Sequence, residues 1–390
     1  MTVSDGFLVL DVGSVLTPFE KFSAGRVIVR AERIEAVGPA SSLQIPARAT
    51  RIDLPHLILV PGFIEPHVHG IGGVDVMDAT PHSMNTISQT LAKYGTTAFL
   101  PTTVSAPIDI LEAAVERLAN LICADSPGAK PLGIHLEGPF INVQKRGTHQ
   151  SSNVRKPDPA LLTKWIQLSG GRIKLLTIAP ELEGAATTAD RARGSNVVVG
   201  MGHSNATLSE SIAAANAGAH YAVHTFNAMR EFSHRDPGIV GAVLSDDRIF
   251  AEIIADGIHV APEVVRIFAR TKGASRIILA TDATSATGMP DGSYALGNSQ
   301  VHVQQGVCRD AEGRLAGSTL TQDRALKNLL EWTGWRLDDA LPALTANPAQ
   351  ALAIEGRGRI EPGAFADLVL LDKNFDVDRT YVSGKLVFAR

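Results

Sequence analysis

Residues 57–70 read Leu57-Ile58-Leu59-Val60-Pro61-Gly62-Phe63-Ile64-Glu65-Pro66-His67-Val68-His69-Gly70. Leu57 to Ile64 is an apolar run, broken only by Pro61-Gly62 and long enough for a buried strand. Side chains alternate along a strand, so His67 and His69 share one side while Val68 turns into packing. Two neutral imidazoles on one side of a strand end can share a metal ion. Two hydrogen-bonded loop histidines would carry the same signature. Gly70, Gly72 and Gly73 follow and let the backbone turn away at once.

Outward from this stretch the chain repeats one unit, a short apolar segment followed by a helical one. Strands are expected at 96–103, 131–136, 173–178, 196–201, 221–225, 249–255 and 277–280. Helices are expected at 82–94, 108–124, 159–168, 208–217, 262–271 and 321–332. With the strand before His67, eight alternating units indicate an α/β fold of the parallel (β/α)8, TIM-like barrel type, with a doubly wound sheet as the alternative. Both ends of the chain differ. Phe7-Leu8-Val9-Leu10, Arg26-Val27-Ile28-Val29, Ala366 to Leu371 and Tyr381 to Phe388 are short strand-like pieces set off by glycines. Such pieces cannot bury both faces alone, so they are expected to pair into one small β-sandwich domain. The expected division is 1–57 with 355–390 for that domain and 58–354 for the barrel.

Composition narrows the function. Of 390 residues, 45% are hydrophobic and 19% charged, which fits a globular protein with a large core. A net charge of −4 argues against nucleic-acid binding. Two cysteines are too few for a disulfide framework, so a reducing cytoplasm is expected. Met1 to Asp11 lacks a basic leader region, and no apolar run is long enough for a membrane span.

The polar residues recur at one place in each unit. His67 and His69, Glu137, His203, His224, Asp256 with His259, and Asp282 all fall at or just past the C-terminal end of an expected strand, the face on which barrel enzymes build active sites. Glu137, His203 and His224 make an N,N,O set suited to zinc or ferrous iron, with an open position for water. His67, His69 and Asp282 make a second such set, so one or two ions can be accommodated. A carboxylate beside a metal-activated water is the expected general base, which assigns that role to Asp282; the competing reading is an N-cap. His135 shares a face with Glu137 and reads as a packed or outer residue. Gly138 to Asp158 has little helical or strand pattern and is a candidate lid.

The motifs PGFIEPHVHG, GIHLEGPFIN, Lys145-Arg146-Gly147-Thr148-His149, GHSNAT, HTFNAM, His234-Arg235-Asp236-Pro237-Gly238, the run Ile254 to His259, Thr281-Asp282-Ala283 and Gly363 to Val369 together resemble the amidohydrolase superfamily. Within it they are similar to the N-acetylglucosamine-6-phosphate deacetylase group. The resemblance runs nearly end to end and implies a barrel capped by a small β domain made of both termini. By position it implies that Glu137, His203 and His224 are the main metal ligands, and that His67 and His69 are a first-strand pair present in some members. It further implies that Asp282 is the catalytic acid/base and that His149 polarises the acetyl carbonyl. Asn227, Ala228, Arg235 and His259 match positions that hold the sugar phosphate, and a homodimer follows from the resemblance alone. Glu65-Pro66 stands where members usually carry Asp and a non-proline residue.

The implied reaction is hydrolysis of an N-acetyl amino sugar 6-phosphate to the amine and acetate, on a divalent metal (Zn2+, or Fe2+). N-Acetylgalactosamine 6-phosphate is the alternative substrate, since no motif reads the single hydroxyl that separates the epimers. A cyclic amidase would want a bridging lysine at the end of the fourth strand, but Lys174 is followed by Leu175-Leu176 and that strand ends at Ala179-Pro180-Glu181. A barrel degenerated into a scaffold should have lost ligands, and here the set is complete.

Overall fold

The computed structural model describes residues 6–17 and 20–390. Eight parallel strands pair in sequential order: Phe63–Val68, Thr96–Thr103, Ile134–Glu137, Ile173–Ile178, Val198–Met201, Tyr221–Ala222, Phe250–Ile253 and Ile277–Leu279. The ring closes through a parallel bridge between Val68 and Ala283, where the His69 N–H donates to Ala283 O (2.8 Å) and the Asp282 N–H to His67 O (3.1 Å). Sequential order with closure makes this a (β/α)8 barrel and removes the doubly wound alternative, whose strand order reverses.

A helix follows each strand. Six match the expected positions, and two were not foreseen: Ala185–Arg193 and Gly238–Ser245. The first buries only Ala185, Thr188 and Ala192, so it has no large apolar stripe to betray its period. The second is buried from Gly238 through Val243 and therefore shows no polar face, and it opens on Pro237-Gly238, which read as a turn.

The opening stretch is two strands rather than one. Thr50–Pro61 belongs to a seven-stranded sheet, where it lies between Phe7–Leu16 and Leu368–Leu371. The barrel strand starts only at Phe63. Gly62 is the crossing point: its N–H donates to Asp367 O (2.8 Å), and a Cβ there would lie 2.1 Å from Thr97 Oγ1. The seven-stranded sheet therefore runs past residue 57. Its outer wing folds back, with the Ile34 N–H donating to Ala364 O at 2.9 Å, and encloses Leu10, Val27, Ile34, Leu59, Leu370 and Tyr381. Both chain ends thus build one β-sandwich beside the barrel.

A three-stranded antiparallel sheet, Gly292–Leu296, Ser299–Gln304 and Val307–Asp310, is inserted between the last barrel strand and its helix. Exposed residues alternate with buried or half-buried ones along it, in strands too short for the pattern to stand out in the sequence. Asp75 ties it to the first barrel loop by accepting the Gly297 N–H (2.9 Å).

The candidate lid, 138–158, is packed against the barrel at its start, Gly138 to Ile141 being buried, and exposed over much of the rest. Phe140 is buried and stacks on Trp165 of helix Pro159–Leu168, with centroids 5.4 Å apart. The Asn142 N–H donates to His203 O (2.9 Å). Truncating a fully buried Trp that anchors this segment leaves a cavity its neighbours cannot fill. Trp165→Ala is expected to cost about 3–5 kcal/mol of unfolding free energy, measured as a lower urea midpoint at unchanged m.

Candidate metal centre and active site

Six side chains converge at the C-terminal mouth of the barrel, from the first, third, fifth, sixth and eighth strands. Glu137, His203 and His224 bring ligand atoms within 4.8 Å of one another, and so do His67, His69 and Asp282. Glu137 stands between the sets. Its Oε1 lies 2.9 Å from His224 Nε2, 3.1 Å from His203 Nε2 and 3.2 Å from His67 Nε2, while its Oε2 lies 3.2 Å from His69 Nε2. Asp282 Oδ1 lies 3.2 Å from His69 Nε2 and 3.6 Å from His67 Nε2. His203, His224 and Asp282 all have positive φ (45°, 28° and 52°), as does Ala228 (52°). Non-glycine residues held in that region mark positions over-determined by their surroundings.

The far sides of the rings assign their tautomers. His69 Nδ1 faces Thr102 O (3.1 Å), His203 Nδ1 faces Lys145 O (2.8 Å) and His67 Nδ1 faces a carboxylate oxygen of Glu252 (3.0 Å). Each partner only accepts, so each Nδ1 carries a proton, and in the neutral ring each Nε2 presents a lone pair inward. The Nε2 atoms of His203 and His224 lie 3.0 Å apart, the His224 Nδ1 having no partner among the described residues to fix its tautomer, and the Nε2 atoms of His67 and His69 lie 3.3 Å apart. Ring nitrogens facing at that distance beside two carboxylates suit a divalent cation, and the donor types suit zinc or ferrous iron. His149 is opposite in sense. The Ser105 backbone N–H donates to its Nδ1 (3.0 Å), so its proton sits on Nε2, which points inward 3.3 Å from Glu137 Oε2. It offers the site a hydrogen-bond donor.

Charge is balanced within this buried cluster. Burial works to raise the Glu137 carboxyl, yet His67 and His203 hold it well below the usual range. Asp282 is likewise held down, by His67 and His69 against burial. Burial works to lower His69, but Asp282 and Glu137 outweigh it and bring the ring to about 9. His203 goes the other way, pushed by burial to about 4. A cation at the first-strand pair would therefore have a proton to displace, while burial favours the neutral form of His203.

The cavity over these groups, about 150 Å³, is also lined by His149, Asn227, Ala228 and His259. His259 is fixed by Asp256, which accepts its Nδ1–H (2.7 Å) and its backbone N–H (2.7 Å). Asn227 donates from Nδ2 to His224 O (3.3 Å). Arg235 is exposed and does not line the cavity. Nearby Arg230 is engaged with Asp236. His135 is packed, bonded to Thr177 Oγ1 (2.7 Å) and Thr102 Oγ1 (3.3 Å), and joins neither ligand set. Asp282 caps no helix among the described residues.

Residues 58–387 match the amidohydrolase family. The chain belongs to the amidohydrolase family. Among the relatives of this amidohydrolase, an N-acetylglucosamine-6-phosphate deacetylase of Vibrio furnissii is 41% identical over 87% of this chain and 85% of its own. An N-acetylgalactosamine-6-phosphate deacetylase of Escherichia coli O157:H7 is 40% identical over 88% and 90%. Among solved structures, a mutant N-acetyl-D-glucosamine-6-phosphate deacetylase from Mycobacterium smegmatis, in complex with N-acetyl-D-glucosamine-6-phosphate, superposes with a TM-score of 0.92. It is 34% identical, and the match covers 98% of this chain and 100% of that one.

Sequence reasoning on the amidohydrolase missed two buried carboxylates. Glu65 accepts the backbone N–H of His67 (3.1 Å) and of Thr281 (3.3 Å) and the Gln322 amide (2.7 Å), so it clasps the first strand to the last. Burial pushes its carboxyl up to about 7, although these hydrogen bonds act to lower it. Glu252 sits behind His67. Each is a lone acid in an apolar strand, where an ionisable group needs partners, and that signal was available. Leu296, on the inserted sheet, also lines the cavity and had no such signal.

Proposed function

We infer that the amidohydrolase removes the N-acetyl group of N-acetyl-D-glucosamine 6-phosphate, releasing D-glucosamine 6-phosphate and acetate. The observation that carries this reading is the opposed hydrogen bonding of the histidines: lone pairs aimed inward from the ligand rings, and one N–H aimed inward from His149. Glu137, His203 and His224 would hold the tighter divalent ion, with His67, His69 and Asp282 as a second position. Zn2+ is favoured by the nitrogen-rich set, with Fe2+ as the other fit. A divalent cation held there supplies Lewis acidity, lowering the pKa of a water and polarising a carbonyl oxygen. Asp282 accepts the proton of the attacking water and returns it to the amine nitrogen as the C–N bond breaks. His149 Nε2–H donates to the carbonyl oxygen as negative charge develops there. Asn227, Ala228 and His259, which line the same cavity, hold the sugar phosphate.

The barrel unit, expected at 58–354 and with its first strand starting at Phe63, carries all of this, and the two terminal segments support it. A homodimer in the cytoplasm is part of the same reading, because exposed Arg235 then serves the phosphate of a neighbouring subunit's substrate. The N-acetylgalactosamine epimer is the second reading, favoured by the relative of that name at nearly equal identity. Acetate release from each of the two sugar phosphates by metal-loaded protein tests both; release from neither would refute the deacetylase reading.

Arg235→Ala is expected to lose about 1.5–3 kcal/mol of binding to the phosphorylated sugar, the worth of a charge-assisted hydrogen bond. That corresponds to roughly 10- to 150-fold in kcat/KM. Activity on unphosphorylated N-acetylglucosamine should stay nearly constant, and equal losses on both sugars would point to an assembly defect.

A further inference from the structure

Glu252 lies in the seventh strand, is wholly buried and does not face the cavity. Its Oε2 accepts the His67 Nδ1–H (3.0 Å) and the His224 backbone N–H (3.0 Å), and its Oε1 accepts the Tyr221 hydroxyl (2.7 Å). Among the described residues it makes no ion pair with lysine or arginine. A buried carboxylate whose only ionisable basic neighbour among the described residues is an imidazole is costly, and an apolar residue would pack such a strand better.

The histidine partners are unequal. His69 and His203 are backed by neutral carbonyls, and His224 Nδ1 has no partner. Of His67, His69, His203 and His224, only His67 is backed by a carboxylate among the described residues. A carboxylate behind an imidazole fixes its tautomer, fixes the ring's rotation and makes the opposite nitrogen a stronger donor. One oxygen of Glu252 also holds the backbone of His224, so a single group registers the first-strand set against the Glu137 set.

We propose that Glu252 is a positioning residue whose charge gives the His67, His69 and Asp282 position its affinity for a divalent cation, by fixing the rotation of the His67 ring, favouring its Nδ1–H tautomer and making its inward nitrogen a stronger donor. The proposal rests on the metal positions given under the proposed function. It makes occupancy of the second position depend on a charge that touches neither ion nor substrate.

Glu252→Gln keeps the length and can still accept from His67 and donate to Tyr221, so it removes the charge with least disturbance. Demetallated full-length protein would be titrated with Co2+ or Zn2+ by calorimetry, with histidine ring nitrogens followed by 15N NMR. The wild type should show a tight and a weaker step. In the variant the weaker step should fall by about 10- to 100-fold, the usual effect of losing an outer partner of a metal ligand. The tight step should hold, and the His67 Nδ1–H signal should shift or vanish. A second step of unchanged affinity, equal weakening of both steps, or a single step in the wild type would each overturn the proposal. If the Gln variant does not fold, Glu252→Asp, which draws the carboxylate back from His67, should give the same selective weakening. Acetate release by the loaded wild type is read separately: its absence would sink the deacetylase reading while the titration still judges Glu252.

Discussion

Asp282→Asn should lower kcat by roughly 10²–10⁴, the range of a well-placed acid/base, with a smaller change in KM. The substitution isolates the proton. Asp282 has φ 52°, a region Asn adopts readily, so the backbone is not asked to move. The bonds that hold the residue are main-chain bonds, its N–H to His67 O (3.1 Å) and the Ser318 N–H to its O (2.7 Å), and Asn keeps both. What changes is the carboxylate 3.2 Å from His69 Nε2, which loses its charge and its ability to take a proton. Steady-state acetate release measures the effect. A kcat within a few-fold of wild type would reduce Asp282 to an outer ligand.

Complete removal of bound metal should abolish activity, and adding a divalent ion back should restore it. Without a cation, the Nε2 atoms of His203 and His224, 3.0 Å apart, and the Glu137 carboxylate between the two sets lose the common partner that their arrangement suits. His203→Ala removes one of the three side chains proposed to hold the tighter ion and should lower metal content in the purified protein, read by elemental analysis together with turnover. Full activity in thoroughly stripped protein would end the metal-hydrolase reading. Ion counts per chain are expected to reveal one tight ion and a weaker one at His67 and His69.

Much of this site was legible because a barrel constrains where chemistry can be placed. Parallel strands put their C-terminal ends on one face, so a polar residue at each strand end needed no knowledge of packing to be grouped with the others. Alternation alone set His67 and His69 together. The limits were equally physical. Pro61-Gly62 separates two strands that continue in nearly one apolar run, and only pairing partners far along the chain reveal that the first belongs to another sheet. Helix Gly238–Ser245 is too buried to have a polar face. Glu252 was visible as an acid among apolar neighbours, but its target, the far side of His67, is set by ring rotation, which no pattern records. Arg235 fell on the expected loop, yet its exposure in the single subunit leaves its partner to be found by experiment.

The central strand of the small sheet has a consequence for synthesis. Ile58 to Pro61 pairs with Leu371 to Leu368, about 300 residues later in the chain. At a typical elongation rate of about 5–20 residues per second, roughly 15–60 s separate the two strands' emergence. Through that interval an edge of Ile, Leu and Val lies open beside the histidine pair, a template for pairing between nascent chains. The barrel is built while its first strand is still tethered to an unfinished sheet. A chain ending before Leu368 would keep that edge permanently, and its penalty would be aggregation before any loss of catalysis could be read.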